Sequence, residues 1–259
     1  MLMKQKIILL AMSTLLLMTF TGCTKFEILL SETIEDKDNY TVETATTEAY
    51  HKDMKLDIET TNGDIVIDNW NEDHIKFEFK KVMYTTSQER AEEIAEETEI
   101  KFNRDGNDLI ADVQKADMGS TESISINYHV KIPEEFNGKF NSTNGDITIE
   151  KMSGELDIDS TNGEISLTDI SGKYIDITTT NGDIENQDIN SDLTIDTTNG
   201  KIYISNLQGN SDITSTNGDV ILTDITGDAN IETVNGDITV STLTGDLEYH
   251  TTNGDVQIE

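Results

Sequence analysis

An Asn-Gly pair returns through the second half of this chain at almost constant spacing, its glycines being Gly145, Gly163, Gly182, Gly200, Gly218, Gly236 and Gly254. The steps between them are 18, 19, 18, 18, 18 and 18 residues. A fixed period in this range marks a stacked repeat, in which each unit buries its apolar face only against its neighbours. Such arrays present regular surfaces and seldom build a catalytic pocket.

Counted from its Gly as position 1, each unit carries an aliphatic residue at position 3: Ile147, Ile165, Ile184, Ile202, Val220, Ile238 and Val256. Position 5 is Ile149, Leu167, Asn186, Ile204, Leu222, Val240 and Ile258, and position 8 is Met152, Ile170, Ile189, Leu207, Ile225 and Leu243. A second glycine follows at position 10 in most units, and position 14 brings Ile158, Ile177, Ile195, Ile213, Ile231 and Tyr249. Ile177 aligns only if one extra residue lies between Gly172 and Asn181. Position 12 varies in size (Leu156, Tyr174, Leu193, Ser211, Ala229, Leu247), and position 16 is always Ser or Thr. This period-two alternation gives two short strands per unit facing one interior, with glycine-bearing turns between them.

Two architectures share that pattern. In a β-solenoid each unit is one coil and equal positions stack about 4.8 Å apart. In a meander every Asn-Gly closes a two-residue hairpin. The solenoid is favoured, because the nine-residue strands of a meander would not require every position to recur so strictly. Six coils would then be only about 30 Å long.

Met54 to Ile67 has the same spacing and reads as a first unit, after which the pattern breaks off beyond Trp70 for about 70 residues. In this excursion Ile75, Phe77 and Phe79 alternate with polar residues, as in a half-buried strand. Thr86-Ser87-Gln88-Glu89 reads as a capping box opening a helix of about 13 residues, with Ala91, Ile94 and Ala95 as its apolar stripe. Arg104 to Asn107 is a turn, and strands are expected at Leu109 to Val113 and from Ser123 to Ile132, where Pro133 stops the run. Trp70 reads as a core plug between this block and the stack. The expected role of the block is to cover the N-terminal edge of the array.

The first residues read as an export leader. Lys4 and Lys6 precede the apolar run Ile7 to Phe20, which is shorter than the roughly 20 residues a membrane span needs. Phe20-Thr21-Gly22-Cys23 then resembles a bacterial lipobox, although Phe20 departs from the usual Leu. Cys23 is the only cysteine, so no internal disulfide can form and acylation gives the thiol a role. Removing Lys4 and Lys6 with such a leader leaves 16 basic against 51 acidic residues, a charge of −35. That charge opposes nucleic acid and anionic lipid headgroups. The expected organisation is a leader over 1–22, a lipidated cysteine and flexible tether over 23–50, the first unit and helix-strand capping block over 51–140, and solenoid repeats over 141–259.

The T-N-G-D-I-x-I repeats, a first unit ending in Trp70, the Ala91/Ala95 helix and the Tyr128 to Pro133 strand end together resemble one family. It is the putative-adhesin family of β-strand-repeat envelope proteins, a domain of unassigned molecular function. The resemblance covers about residues 50 to 259 and carries no catalytic residues over to this chain.

Candidate sites are few. Acidic columns at positions 2 and 11 make Asp219, Asp237, Asp255, Asp228 and Asp246 calcium candidates, since a hard cation would relieve stacked carboxylates. Lys201 and Lys173 interrupt those columns, and solvated edge charges that discourage sheet-to-sheet association explain them as well. His51, His74, His129 and His250 lack metal-ligand spacing, and no G-x-S-x-G elbow occurs. No cofactor and no enzymatic activity are expected. Asp255, Val256, Ile258 and Glu259 form a strand edge expected to support weak self-association or partner docking. The functional expectation is a non-enzymatic lipoprotein on the extracytoplasmic face of the cell envelope, held to the membrane by the lipid on Cys23. It would work by adhesin-like or scaffold binding to a protein or glycan. The alternative is an envelope-stress accessory that binds a membrane partner in cis.

Overall fold

The computed structural model describes residues 39–259. The expected leader, Cys23 and the first part of the tether lie outside the described residues. In chain order, β1 (Asn39–Ala49) is followed by the first coil, β2 (Lys55–Asn62) and β3 (Ile65–Asn69). The excursion holds β4 (His74–Tyr84), α1 (Gln88–Glu97), β5 (Glu99–Asp105), β6 (Asp108–Gln114) and β7 (Ser123–Ile132). The coils then resume with β8 (Asn137–Asn144), β9 (Ile147–Ser153), β10 (Leu156–Asn162), β11 (Ile165–Asn181) and β12 (Ile184–Asn199). They continue with β13 (Ile202–Gln208), β14 (Ser211–Asn217), β15 (Val220–Thr226), β16 (Ala229–Asn235), β17 (Ile238–Thr244), β18 (Leu247–Asn253) and β19 (Val256–Ile258).

Strand pairing decides between coil and meander. Ile147 lies beside Ile165, Ile165 beside Ile184, and so on through Ile202, Val220, Ile238 and Val256, always in parallel register. Ile158, Ile177, Ile195, Ile213, Ile231 and Tyr249 form the matching column in a second parallel ladder. The short strands therefore alternate between two ladders, β11 and β12 each running through both, and the fold is a mainly β solenoid with two ladders facing one interior. The expected extra residue is a bulge between Ser171 and Tyr174 of β11. It pairs Leu156 with Ile175 and turns Tyr174 outward, 43% exposed, so Ile175 replaces Tyr174 at position 12 and Tyr174 replaces Lys173 at position 11.

Each coil bends at a third place that the sequence pattern left unread. Lys151, Asp169, Asp188, Asn206, Asp224 and Thr242, at position 7, all have φ between 53° and 58°. One left-handed residue there reverses the alternation, which is why positions 5 and 8 both point inward although three apart. Asp and Asn fill four of these six places because their short polar side chains tolerate that conformation. At the Asn-Gly corner the constraint is steric as well. Gly145 has φ of 143°, and a Cβ there would lie 2.2 Å from the carbonyl oxygen of Gly63 in the preceding coil.

The excursion is an insertion between two coils that remain in register. Asn62 pairs with Asn144 and Ile65 with Ile147, as if nothing intervened. The inserted chain returns along the far side of the first coil, where β6 pairs parallel with β2 and β7 parallel with β3. Antiparallel strands finish each ladder: β5 lies on β6, β4 on β7, and β1 on β4. The block thus lies along the first coil and packs its own aromatic core. Phe77 meets Phe102 with ring centroids 4.4 Å apart, and Phe79 meets buried Tyr128 edge-on at 5.5 Å.

Three expectations in this region need correction. The second part of the tether, residues 39–49, is strand β1, paired with β4 over its whole length. Its apolar content is low, but backbone pairing to an open edge holds it, with Tyr40 and Val42 against the core. Helix α1 is 10 residues long, and its N-cap is Ser87, whose Oγ accepts the Arg90 N–H at 3.2 Å. Trp70 is only half-buried; its Nε1–H donates to the His74 carbonyl at 2.8 Å and clamps the link from β3 to β4.

Candidate interaction surfaces

The corner columns are built first by backbone chemistry. Asp146 Oδ1 accepts the backbone N–H of Glu164 at 2.8 Å, Asp183 that of Lys201 at 2.7 Å, and Asp219 that of Asp237 at 3.0 Å. Half a coil away, Asp192 accepts from Asn210 at 2.9 Å, Asn210 from Asp228 at 3.0 Å and Asp228 from Asp246 at 2.9 Å. At these corners a side-chain oxygen takes a backbone donor from the next coil, and a charged acceptor strengthens that bond. Beside them Asn62, Asn144, Asn162, Asn181, Asn199, Asn217, Asn235 and Asn253 form a continuous amide ladder, each Nδ2 donating to the preceding Oδ1 at 2.8 to 3.0 Å.

The calcium candidates fall on both columns: Asp219, Asp237 and Asp255 on the first, Asp228 and Asp246 on the second. The structure does not gather the five together. One oxygen each of Asp219, Asp237 and Asp228 is turned to a backbone N–H. Among the described residues no cluster of three or more His, Cys, Asp or Glu side chains is placed to hold a metal ion.

The outward face of the second ladder concentrates the charge. Asp157, Asp159, Asp176, Asp196 and Asp212 point away from the core there. Partial burial raises the Asp176 carboxyl above its ordinary 3.8, and Asp157, Asp159 and Asp196 add to the rise. A shallow groove of about 430 Å³ follows this face, with Asp192, Asp212, Asp228, Asp246 and Glu248 among its walls. Tyr174 stands at the same face, and neighbouring Glu155 raises its phenol above the usual tyrosine value.

Two further features stand outside the groove. His129 of β7 lies between two carboxylates, its Nε2 2.5 Å from Asp68 of β3 and its Nδ1 3.2 Å from Glu78 of β4. Sequence spacing hides this trio, because the inserted block is what brings the three strands side by side. At the other end, β19 pairs with β17, and among the described residues its other edge is unpaired. Ile258 is 53% exposed and Tyr249 48%, although both occupy core columns elsewhere in the stack. The expected edge residues Asp255, Val256, Ile258 and Glu259 are thus gathered on this last strand and its corner.

A family model, Toastrack DUF4097, matches residues 31–210 and again 189–259. The chain belongs to this family. The second match falls within the repeating coils, so this family member extends its array beyond the stretch covered by the first. Among solved structures, a putative adhesin from Bacteroides fragilis superposes with a TM-score of 0.55 at 14% identity, covering 86% of this chain and 98% of that one. A putative lipid binding protein from Parabacteroides distasonis gives 0.46 at 10% identity, over 86% and 97%. A putative adhesin from the same organism gives 0.45 at 12%, over 84% and 97%. At these identities the likeness to the Bacteroides protein is one of fold. No curated protein sequence matches the chain. Among the described residues no helix is long and apolar enough to cross a membrane.

Proposed function

We propose that this member of the Toastrack DUF4097 family is a non-enzymatic, surface-anchored lipoprotein whose acidic β-solenoid is an adhesin-like binding or scaffold module. The anchor is the lipid on Cys23. The observation that carries the reading is the division of labour across each coil. Aliphatic columns fill the interior, while the outward face of the second ladder displays carboxylates along an open groove. A surface of that kind engages a macromolecule broadly, and it suits a protein or glycan carrying cationic groups. The putative adhesin from Bacteroides fragilis shares the fold, which fits this role.

The test separates anchor from binding. In a bacterial host the intact chain should fractionate with membranes and be open to added protease on whole cells, whereas Cys23→Ala should be released. The purified full-length Cys23→Ala chain should bind cell-envelope preparations saturably. Replacing Asp192, Asp212, Asp228 and Asp246 together by Asn should weaken that binding by at least about tenfold if the groove is the contact surface. Non-saturable binding, or binding indifferent to those four changes, would remove the reading.

A further inference from the structure

Asn followed by Gly is the dipeptide in which a backbone nitrogen reaches the preceding side chain most freely, because glycine has no Cβ to obstruct it. The glycine nitrogen attacks Cγ of the asparagine, an N–Cγ bond forms and the Cγ–Nδ2 bond breaks. Ammonia leaves with the proton given up by that nitrogen. Water then opens the cyclic imide at either carbonyl and leaves aspartate or isoaspartate. The sequence holds nine such pairs, beginning at Asn62, Asn137, Asn144, Asn162, Asn181, Asn199, Asn217, Asn235 and Asn253.

The stack engages the nucleophile in seven of them. The N–H groups of Gly63, Gly138, Gly145, Gly163, Gly182, Gly200 and Gly218 each donate to a carbonyl of the adjoining coil, at 2.9 to 3.1 Å. Turning that nitrogen onto its own neighbour requires breaking the bond, so reaction there waits on local opening. Gly236 and Gly254 make no such bond among the described residues. The side chains follow the same gradient. Asn235 is held on both sides, donating to Asn217 and accepting from Asn253. Asn253 donates to Asn235 at 2.9 Å, and its own Oδ1 receives nothing from the described residues.

We infer that Asn253 is a site of spontaneous deamidation in the folded protein, with Asn235 second, and that stacking protects the other seven pairs. Conversion at Asn253 exchanges its amide donor for an oxygen that faces Asn235 Oδ1. Isoaspartate also lengthens the backbone between β18 and β19, which disturbs the pairing of Val256 and Ile258 with Ile238 and Val240. The modification therefore acts on the pairing of β19.

The purified full-length chain, incubated in mildly alkaline buffer and sampled over time, would be digested and mapped by mass spectrometry. Asn253 should convert at least about tenfold faster than Asn162, Asn181 or Asn199, because the glycine nitrogens after those three are held by the adjoining coil and react only on local opening. Asn235 should fall between. In denaturing urea all nine should react at similar rates, which shows that folding and not local sequence sets the order. Asn253→Gln should abolish the early release of ammonia. Equal rates for Asn253 and the interior pairs in the folded chain, or an unchanged early phase in Asn253→Gln, would overturn the inference.

Discussion

Asn186 shows at a single residue what the repeat tolerates. It occupies position 5, where its ladder neighbours are Leu167 and Ile204, and it is fully buried. Neither its Nδ2 nor its Oδ1 has a hydrogen-bond partner among the described residues. A buried amide left unpaired costs roughly 1–3 kcal/mol, and Leu at the same place would bury apolar surface instead. Asn186→Leu should therefore raise stability by about that amount, seen as a higher urea midpoint with an unchanged slope. A lower midpoint would show that the amide supports the coil. The column made this residue legible in the sequence as the odd member among aliphatics. Its lack of a partner was not legible, since that depends on which atoms surround it. Tyr174 teaches the converse, because a one-residue bulge whose need was plain, though not its position, sent a supposed core residue to the surface.

Whole elements were legible where their period was long and unbroken. The coil strands follow from Ile and Val at fixed spacing, and β7 occupies the expected residues because Pro133 ends it. Strand β1 was hidden, since it is polar and owes its conformation to the free edge of β4. Helix α1 was recognised by its cap, yet its anchors lie far away in sequence. Lys81, nearly buried in β4, donates to the carbonyls of Ala95 and Thr98 at the helix C-terminal end, at 3.0 and 2.5 Å. Arg90 meets Glu122 in a forked pair with Nε–Oε1 of 3.1 Å and Nη2–Oε2 of 3.2 Å, and Glu122 also accepts from Thr85 and the Gly119 N–H. The Arg90 bond, helped by that N–H, pulls the Glu122 carboxyl from 4.5 down to about 2. A carboxyl lowered on folding contributes in full above its unfolded value, and the contribution fades as pH falls toward the folded one. Hydrogen exchange in α1, corrected for intrinsic rates, should thus accelerate between about pH 4.5 and pH 2 in the native chain. Glu122→Gln should exchange faster at pH 7 and lose that acid-dependent step. A helix equally protected in both proteins at pH 7 would show that the pair does not hold it.

Charge governs the molecule as a whole. Net charge is −33, and no Lys or Arg follows Lys201, although ten acidic residues do. In the coils from Ile202 onward the corner columns stack Asp219, Asp237 and Asp255, and beside them Asp228 and Asp246, with Lys201 one coil before Asp219 as the last cation, while the inserted block carries eight of the eighteen basic residues. Amide and backbone bonds along the corners hold coils together against that repulsion. Two carboxyls of earlier coils, Asp176 and Asp57, are raised above 3.8 chiefly by burial, and neighbouring carboxylates add to the rise at Asp176. For carboxyls raised on folding, the folded state takes up protons more readily than the unfolded chain. Their contribution to stability is complete below 3.8 and is lost as pH rises through the folded value, the reverse of Glu122. Acidifying from pH 7 toward about 4.5 should then raise the thermal midpoint, before Glu122 begins to oppose the gain. Added salt at pH 7 should give part of the same rise by screening exposed charges separated by more than about 10 Å. Asp176→Asn should raise the midpoint at pH 7 and flatten its dependence on pH. Melting curves at low and high ionic strength, at pH 7 and pH 5, read all three effects. A midpoint that falls on mild acidification at low salt would mean that the stacked carboxylates are compensated, and that repulsion along the coils does not limit the length of this array.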